Sequence, residues 1–169
     1  MNLYILRHGL AVERGTPGCE KDRDRPLTPK GRRRMRQIAK AMRKLELSFD
    51  LVLSSPYARA RQTADIVATT FRARRKLKFS GDLTPDGNPQ ALIEFLKSLR
   101  PAPENVLLVG HEPYLSRLIS TLVAGNSGLP VTLKKGGLCQ LAVETLNYGR
   151  CAALEWLLTP KQMVLMVCR

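Results

Sequence analysis

The sequence predicts a three-layer α/β/α single domain around a mostly parallel central sheet, with an antiparallel strand at one edge. Three observations point there. Short apolar runs alternate with segments of helical periodicity, as in chains that cover both faces of a parallel sheet. Several of those runs stop at residues suited to chemistry, which matches the rule that function gathers beyond the carboxyl ends of the strands. The length of 169 residues, 44% hydrophobic and 25% charged, fits one globular unit with a substantial core and leaves no room for a second catalytic domain.

The elements follow in order. Asn2 to Leu6 is β-prone and runs into Arg7-His8-Gly9. Loop residues lead to Pro26, after which Thr28-Pro29 reads as an N-cap and first helical residue. Met35, Ile38, Ala39, Met42 and Leu45 then recur on one helical face, and the opposite face is almost wholly basic. Leu51-Val52-Leu53 is a buried-type strand ending at Ser54-Ser55-Pro56; Tyr57 to Phe71 is helical through Ala60, Ala64, Val67 and Phe71, with Arg59 in its first turn.

Lys76 to Phe79 is a basic strand, Ser80 to Gly87 is rich in turn residues, and Asn88-Pro89 starts a helix through Leu99. Val106 to Val109 is a fully buried strand running into Gly110-His111-Glu112, and Pro113 opens a helix through Leu122. Leu138 to Val143 and Cys151 to Leu157 are two late strands joined by a turn around Asn147 to Gly149, an antiparallel addition at the sheet edge. His8, the Ser54 to Arg59 turn and His111 each follow a strand. They are therefore expected to meet in one crevice.

Composition narrows the partners. The 28 Lys and Arg against 14 Asp and Glu leave a net charge of +14, a field that attracts phosphate groups, acidic proteins, nucleic acid or anionic lipid without choosing among them. Cys19, Cys139, Cys151 and Cys168 have neither C-x-x-C nor zinc-ligand spacing, so reduced, mostly buried thiols are expected. Leu3 to Leu6 is too short for a signal peptide core, and no run reaches membrane-span length. The expectation is a cytoplasmic protein with no membrane association.

An imidazole at a strand end, beside an arginine and a glycine that lets a ligand approach the backbone, suits nucleophilic attack on phosphorus. His8 would attack. Arg7 and Arg59 present planar forks that match phosphate oxygens, and a protonated His111 would donate to another oxygen. Taken singly, each has a duller reading: a structural histidine, or one solvated arginine among many. Their coincidence at strand ends favours chemistry.

Arg7-His8-Gly9, the run Ser55-Pro56-Tyr57-Ala58-Arg59-Ala60-Arg61-Gln62-Thr63-Ala64, and Gly110-His111-Glu112 resemble, in order and spacing, the signatures of the histidine phosphatase (phosphoglycerate mutase-like) superfamily. Arg25-Pro26-Leu27-Thr28 and Leu83-Thr84-Pro85 resemble its SixA-type branch of phosphohistidine phosphatases, and the likeness extends over residues 1–169 as one domain. The resemblance implies that His8 becomes phosphorylated, that Arg7, Arg59 and His111 form the phosphate pocket, and that neither metal nor cofactor is needed.

Many superfamily members that cleave esters use an acid between the arginine segment and the second histidine. Asp82, Asp86 and Glu94 lie there, none in an alignable motif, and Asp86 is the candidate proton donor. A missing acid is tolerable when imidazole leaves, because phosphohistidine departs as a neutral ring after protonation. The interval from Arg59 to His111 is already filled by ordinary elements, so no sizeable lid is expected, and an open pocket suits a phosphorylated side chain on another protein. The expected function is hydrolysis of phosphohistidine on a protein. The alternatives are a small-molecule phosphomonoesterase acting on a small phosphorylated substrate, or a basic polyanion-binding module without catalysis.

The helix from Thr28 carries Lys30, Arg32, Arg33, Arg34, Arg36, Lys40, Arg43 and Lys44 before Glu46. A solvated helix side is the first reading; docking of an acidic phosphoprotein over residues 28–46 and attraction of nucleic acid are the others. Phe, Tyr and Trp make up only 5% of residues and no groove-reading motif occurs, so no specific nucleic-acid partner is expected.

Overall fold

A computed structural model describes residues 1–167; Cys168, counted above among the thiols, lies outside the described residues. Six strands, β1 (Asn2–Arg7), β2 (Leu51–Ser54), β3 (Leu77–Phe79), β4 (Asn105–Gly110), β5 (Leu138–Val143) and β6 (Ala152–Leu158), form one sheet. Their order is β3-β2-β4-β1-β5-β6. The pairs β1–β4, β2–β4 and β2–β3 are parallel, whereas β5 runs antiparallel to both β1 and β6. The antiparallel addition is therefore a two-strand ribbon, with β6 outermost.

Alternation along the inner strands sends their side chains into two cores. Leu3 and Ile5 of β1, with Val106 and Leu108 of β4, pack against α3 (Pro89–Ser98) and α4 (Tyr114–Ala124) through Leu92, Ile93, Leu115 and Ile119. Tyr4, Leu6, Leu107 and Val109 face the other way, onto α1 (Pro29–Lys44), α2 (Ala58–Thr70) and α5 (Pro160–Leu165), through Met35, Ile38, Ala64 and Met163. Helices thus cover both faces. The three-layer expectation describes the architecture.

The caps explain where helices begin. Thr28 accepts from the Gly31 N–H ahead of Pro29, and Asn88 accepts from Gln90 and Ala91 ahead of Pro89. The short α5 was not anticipated, although its capping box was readable: Thr159 accepts from Gln162 N–H while the Gln162 side chain returns to the Thr159 N–H.

Two expectations need correction. Leu45 does not join the buried face of α1; it is the C-cap and 36% exposed, and past it Glu46 at φ 55° turns the chain so that Leu47 packs inward. Nor are the thiols mostly buried among the described residues: Cys139 on β5 is buried, but Cys19 and Cys151 sit in loops at intermediate exposure. Among the described residues, no helix is long and apolar enough to cross a membrane.

Candidate active site

Strand order determines what the site contains. β4 lies between β2 and β1 and runs parallel to both, so the residues just past all three strands emerge on one side of the sheet. These are Arg7 and His8 after β1, Ser55 after β2, and His111 after β4. Their backbones are tied together: His8 N–H donates to Gly110 O at 3.1 Å and Ser55 N–H to Val109 O at 2.9 Å. Arg59 arrives from the first turn of α2.

His8 is 5% exposed, and its two ring nitrogens have different partners. Nδ1 lies 2.7 Å from Gly9 O, an acceptor only, so Nδ1 carries the proton and donates. Nε2 therefore bears the lone pair, and Arg59 Nε–H donates to it at 3.2 Å. Burial pulls the His8 pKa down to about 2, with the charges of His111, Arg59 and Arg7 adding to it against the Gly9 hydrogen bond. His8 is neutral at physiological pH.

The His111 ring stands 5.0 Å from that of His8, centroid to centroid. Its Nε2 is 2.8 Å from Ser55 Oγ, while Nδ1 is buried with no partner among the described residues. Ser55 Oγ also accepts from Tyr57 N–H at 3.3 Å and keeps one lone pair and its own proton, so it meets either tautomer of His111. Burial, followed by the charge of Arg59, lowers the His111 pKa to about 3. His111 is therefore neutral at physiological pH, without the protonation that the sequence reading assumed.

Arg7 NH1 donates to Leu133 O at 2.9 Å, and its buried Nε has no partner among the described residues. Burial lowers the Arg7 pKa from its usual value, opposed by the charge of Glu112. Arg59 is 3% exposed; NH1 donates to Asp22 O at 2.6 Å and NH2 to Asp22 Oδ2 at 2.8 Å. Partial burial pushes the Asp22 carboxyl up, but hydrogen bonds and charge from Arg59 and then Arg25 outweigh it and hold the pKa at about 2. Below His8, the Gly9 N–H donates to Thr63 Oγ1 at 3.1 Å, and Thr63 Oγ1 donates to Arg59 O at 2.7 Å, coupling the two motifs.

The geometry brings together Arg7, His8, Arg59 and His111. Asp86 is exposed on the wall of a cavity of about 630 Å³ that also involves Tyr114, Arg117 and Tyr148, and no hydrogen bond or ion pair joins it to the four. Two participants were missed by the sequence reading. Ser55 sits in a quoted motif but received no role of its own. Asp22 lies in a loop whose only signal was a carboxylate among basic neighbours.

Such a site places a neutral imidazole lone pair amid guanidinium groups, with one buried Arg7 N–H and one buried His111 nitrogen unpartnered, an arrangement able to receive a phosphoryl group. The comparisons agree with that chemistry. Residues 3–81 match the family model described as histidine phosphatase superfamily, branch 1. An uncharacterized protein of Picosynechococcus is 38% identical over 142 residues, which cover 83% of this chain and 84% of that one. The phosphohistidine phosphatase SixA of Escherichia coli is 26% identical over 161 residues, covering 95% of this chain and 94% of that one. A solved structure of the protein histidine phosphatase SixA complexed with tungstate aligns at a TM-score of 0.82 with 25% identity, over 95% of this chain and 98% of that one. The chain belongs to the histidine phosphatase superfamily, with its resemblance lying on the SixA-type side.

Proposed function

We propose that this phosphatase hydrolyses phosphohistidine carried on a protein, using His8 as nucleophile. The observation that carries the reading is the division of labour on the His8 ring. Nδ1–H is held by Gly9 O at 2.7 Å, so the attacking nitrogen can only be Nε2, and burial keeps it unprotonated.

In the first step the Nε2 lone pair forms a bond to phosphorus as the P–N bond to the substrate imidazole breaks. The substrate ring, protonated on its other nitrogen, accepts the bonding pair and leaves as neutral imidazole. In the second step water attacks the phosphorus on His8, a proton passes to solvent or phosphate, and the bond to Nε2 breaks to restore the free ring. One difficult displacement becomes two easier ones. Arg59 Nε–H, which occupies the lone pair at rest, turns to a phosphoryl oxygen as the bond forms. Arg7 Nε–H, a buried donor without a partner, and His111 in its Nδ1–H tautomer supply the remaining oxygens.

A neutral leaving group asks for no strong acid beside the four residues, and no hydrogen bond or ion pair joins Asp86 to them. The SixA likeness supports the same substrate chemistry. The test is matched turnover of phosphohistidine peptides, phosphoserine peptides and sugar phosphates by the parent and by Asp86→Ala. Preference for the phosphohistidine peptides, unchanged in the variant, supports the proposal. A strong preference for esters that is lost in Asp86→Ala would assign Asp86 as a proton donor and make the protein a small-molecule phosphomonoesterase.

A further inference from the structure

Arg7 has a second environment. Beyond it opens a cavity of about 470 Å³ whose charged lining consists of Arg7, Arg34, Lys134, Lys135 and Lys161, with no carboxylate and no aromatic ring. Among the described residues, none of these five cations is in an ion pair. Four separate parts of the chain supply them: the end of β1, α1, the loop before β5, and the start of α5. Uncompensated like charges brought together by folding repel one another, and an entering anion relieves that repulsion.

The cavity is fixed to the candidate active site. The Gly136 N–H donates to the carbonyls of Arg7 and His8, at 3.0 and 3.1 Å, and Arg7 N–H donates to Gly137 O at 3.1 Å. The lysines of that loop are therefore held in register with the strand end that carries His8. Positive charge continues outward along α1 through exposed Arg33, Arg36 and Lys40, on a helix that spans about 24 Å. That length suits an extended partner better than a single small ion.

We propose that the cavity is an anion subsite, taking acidic side chains that flank the phosphohistidine of a protein substrate. The proposal rests on the reading of the preceding subsection and adds what selects the substrate. With Arg7 shared between the two regions, a phosphoryl group at His8 and a carboxylate in the cavity belong to one bound segment. The absence of an aromatic ring from the lining removes the stacking platform on which single-stranded nucleic acid relies.

The experiment uses three histidine-phosphorylated peptides, with Asp and Glu flanks, with Asn and Gln flanks, and with Lys flanks. Phosphate release is measured at low ionic strength for the parent and for Lys135→Ala/Lys161→Ala, and fluorescence anisotropy reports binding of the same peptides without phosphorylation. The parent should favour the acidic over the neutral flank by about tenfold in kcat/KM, mainly through KM, and the preference should shrink with added salt. In the double variant the ratio should fall to about threefold or less. Equal turnover of acidic and neutral peptides by the parent overturns the subsite while leaving the phosphatase reading intact. If no peptide releases phosphate, the reading of function fails instead, and anisotropy alone decides the subsite: tighter acidic than neutral peptide supports it, equal binding rejects it. A single-stranded RNA of matched charge that binds more tightly than the acidic peptide and is not displaced by it also overturns the proposal.

Discussion

Arg59 Nε–H donates to His8 Nε2 at 3.2 Å while Asp22 occupies both terminal nitrogens of the same guanidinium, so one residue of α2 faces the reactive ring through its inner edge and the loop through its outer one. A lysine cannot reproduce that fork. Arg59→Lys should lower kcat by about 10²- to 10³-fold, the cost of losing an oriented charge-stabilising donor. Steady-state kinetics on a phosphohistidine peptide check this. A loss under about tenfold would show that the guanidinium geometry is not used.

Ser55 Oγ lies 2.8 Å from His111 Nε2, and by donating there it would hold the ring proton on Nδ1. Ser55→Ala removes the hydroxyl that donates to Nε2, so His111 becomes free to place its proton there and present a lone pair to the phosphoryl oxygens. The kcat should fall by about ten- to a hundredfold with little change in KM, and Ser55→Thr should restore part of it. Unchanged kcat in the alanine variant would mean that the tautomer is set by something else.

Acid should destabilise the fold well before the carboxylates titrate. The pKa of His8 is about 2 and that of His111 about 3 in the folded protein, both below the ordinary 6.5. As pH falls through 6.5 the unfolded chain takes up protons that the folded chain refuses, so stability is complete above that value and is lost on the way down towards pH 3. Two such groups give a limiting slope of roughly 2.7 kcal/mol per pH unit. Urea melts between pH 7.5 and 4.5 should show this decline, and His8→Asn should make it shallower. A flat profile would mean that the rings titrate normally.

Gly31 is predicted to defy the usual helix preference. Replacing a helical glycine by alanine generally stabilises by roughly 0.5–1 kcal/mol. Here an added Cβ would clash with Leu10 O, a backbone atom of the segment that follows the Arg7-His8-Gly9 motif and one that cannot swing aside. Gly31→Ala should therefore lose about 1–3 kcal/mol in a denaturant melt. Stabilisation would show that Leu10 yields freely.

Most of this architecture could be read from local signals. The runs at β1, β2 and β4 are apolar on both faces, the mark of strands covered twice, and Thr28-Pro29 and Asn88-Pro89 announce their helices through capping chemistry. Because parallel strands end on the same side, the meeting of His8, Ser55 and His111 was legible from strand ends alone. Other features depend on tertiary contacts that no local pattern reports. Asp22 reaches Arg59 across 37 positions of sequence, Leu47 rather than Leu45 packs inward past the left-handed Glu46, and Asp86 lines a cavity shared with Tyr114, Arg117 and Tyr148. The His111 tautomer likewise depends on a partner 56 positions away, which spacing cannot reveal.

The central claim is that phosphate passes through the Nε2 atom of His8. Rapid acid-free quenching of the protein with a labelled phosphohistidine peptide, followed by peptide mapping under alkaline conditions, tests it most directly. The account predicts an acid-labile, alkali-stable phosphoryl group on His8, formed and discharged at rates that keep pace with turnover and absent from folded His8→Ala, which releases no phosphate. Normal phosphate release by that folded variant, or a label that maps to another residue, would contradict it.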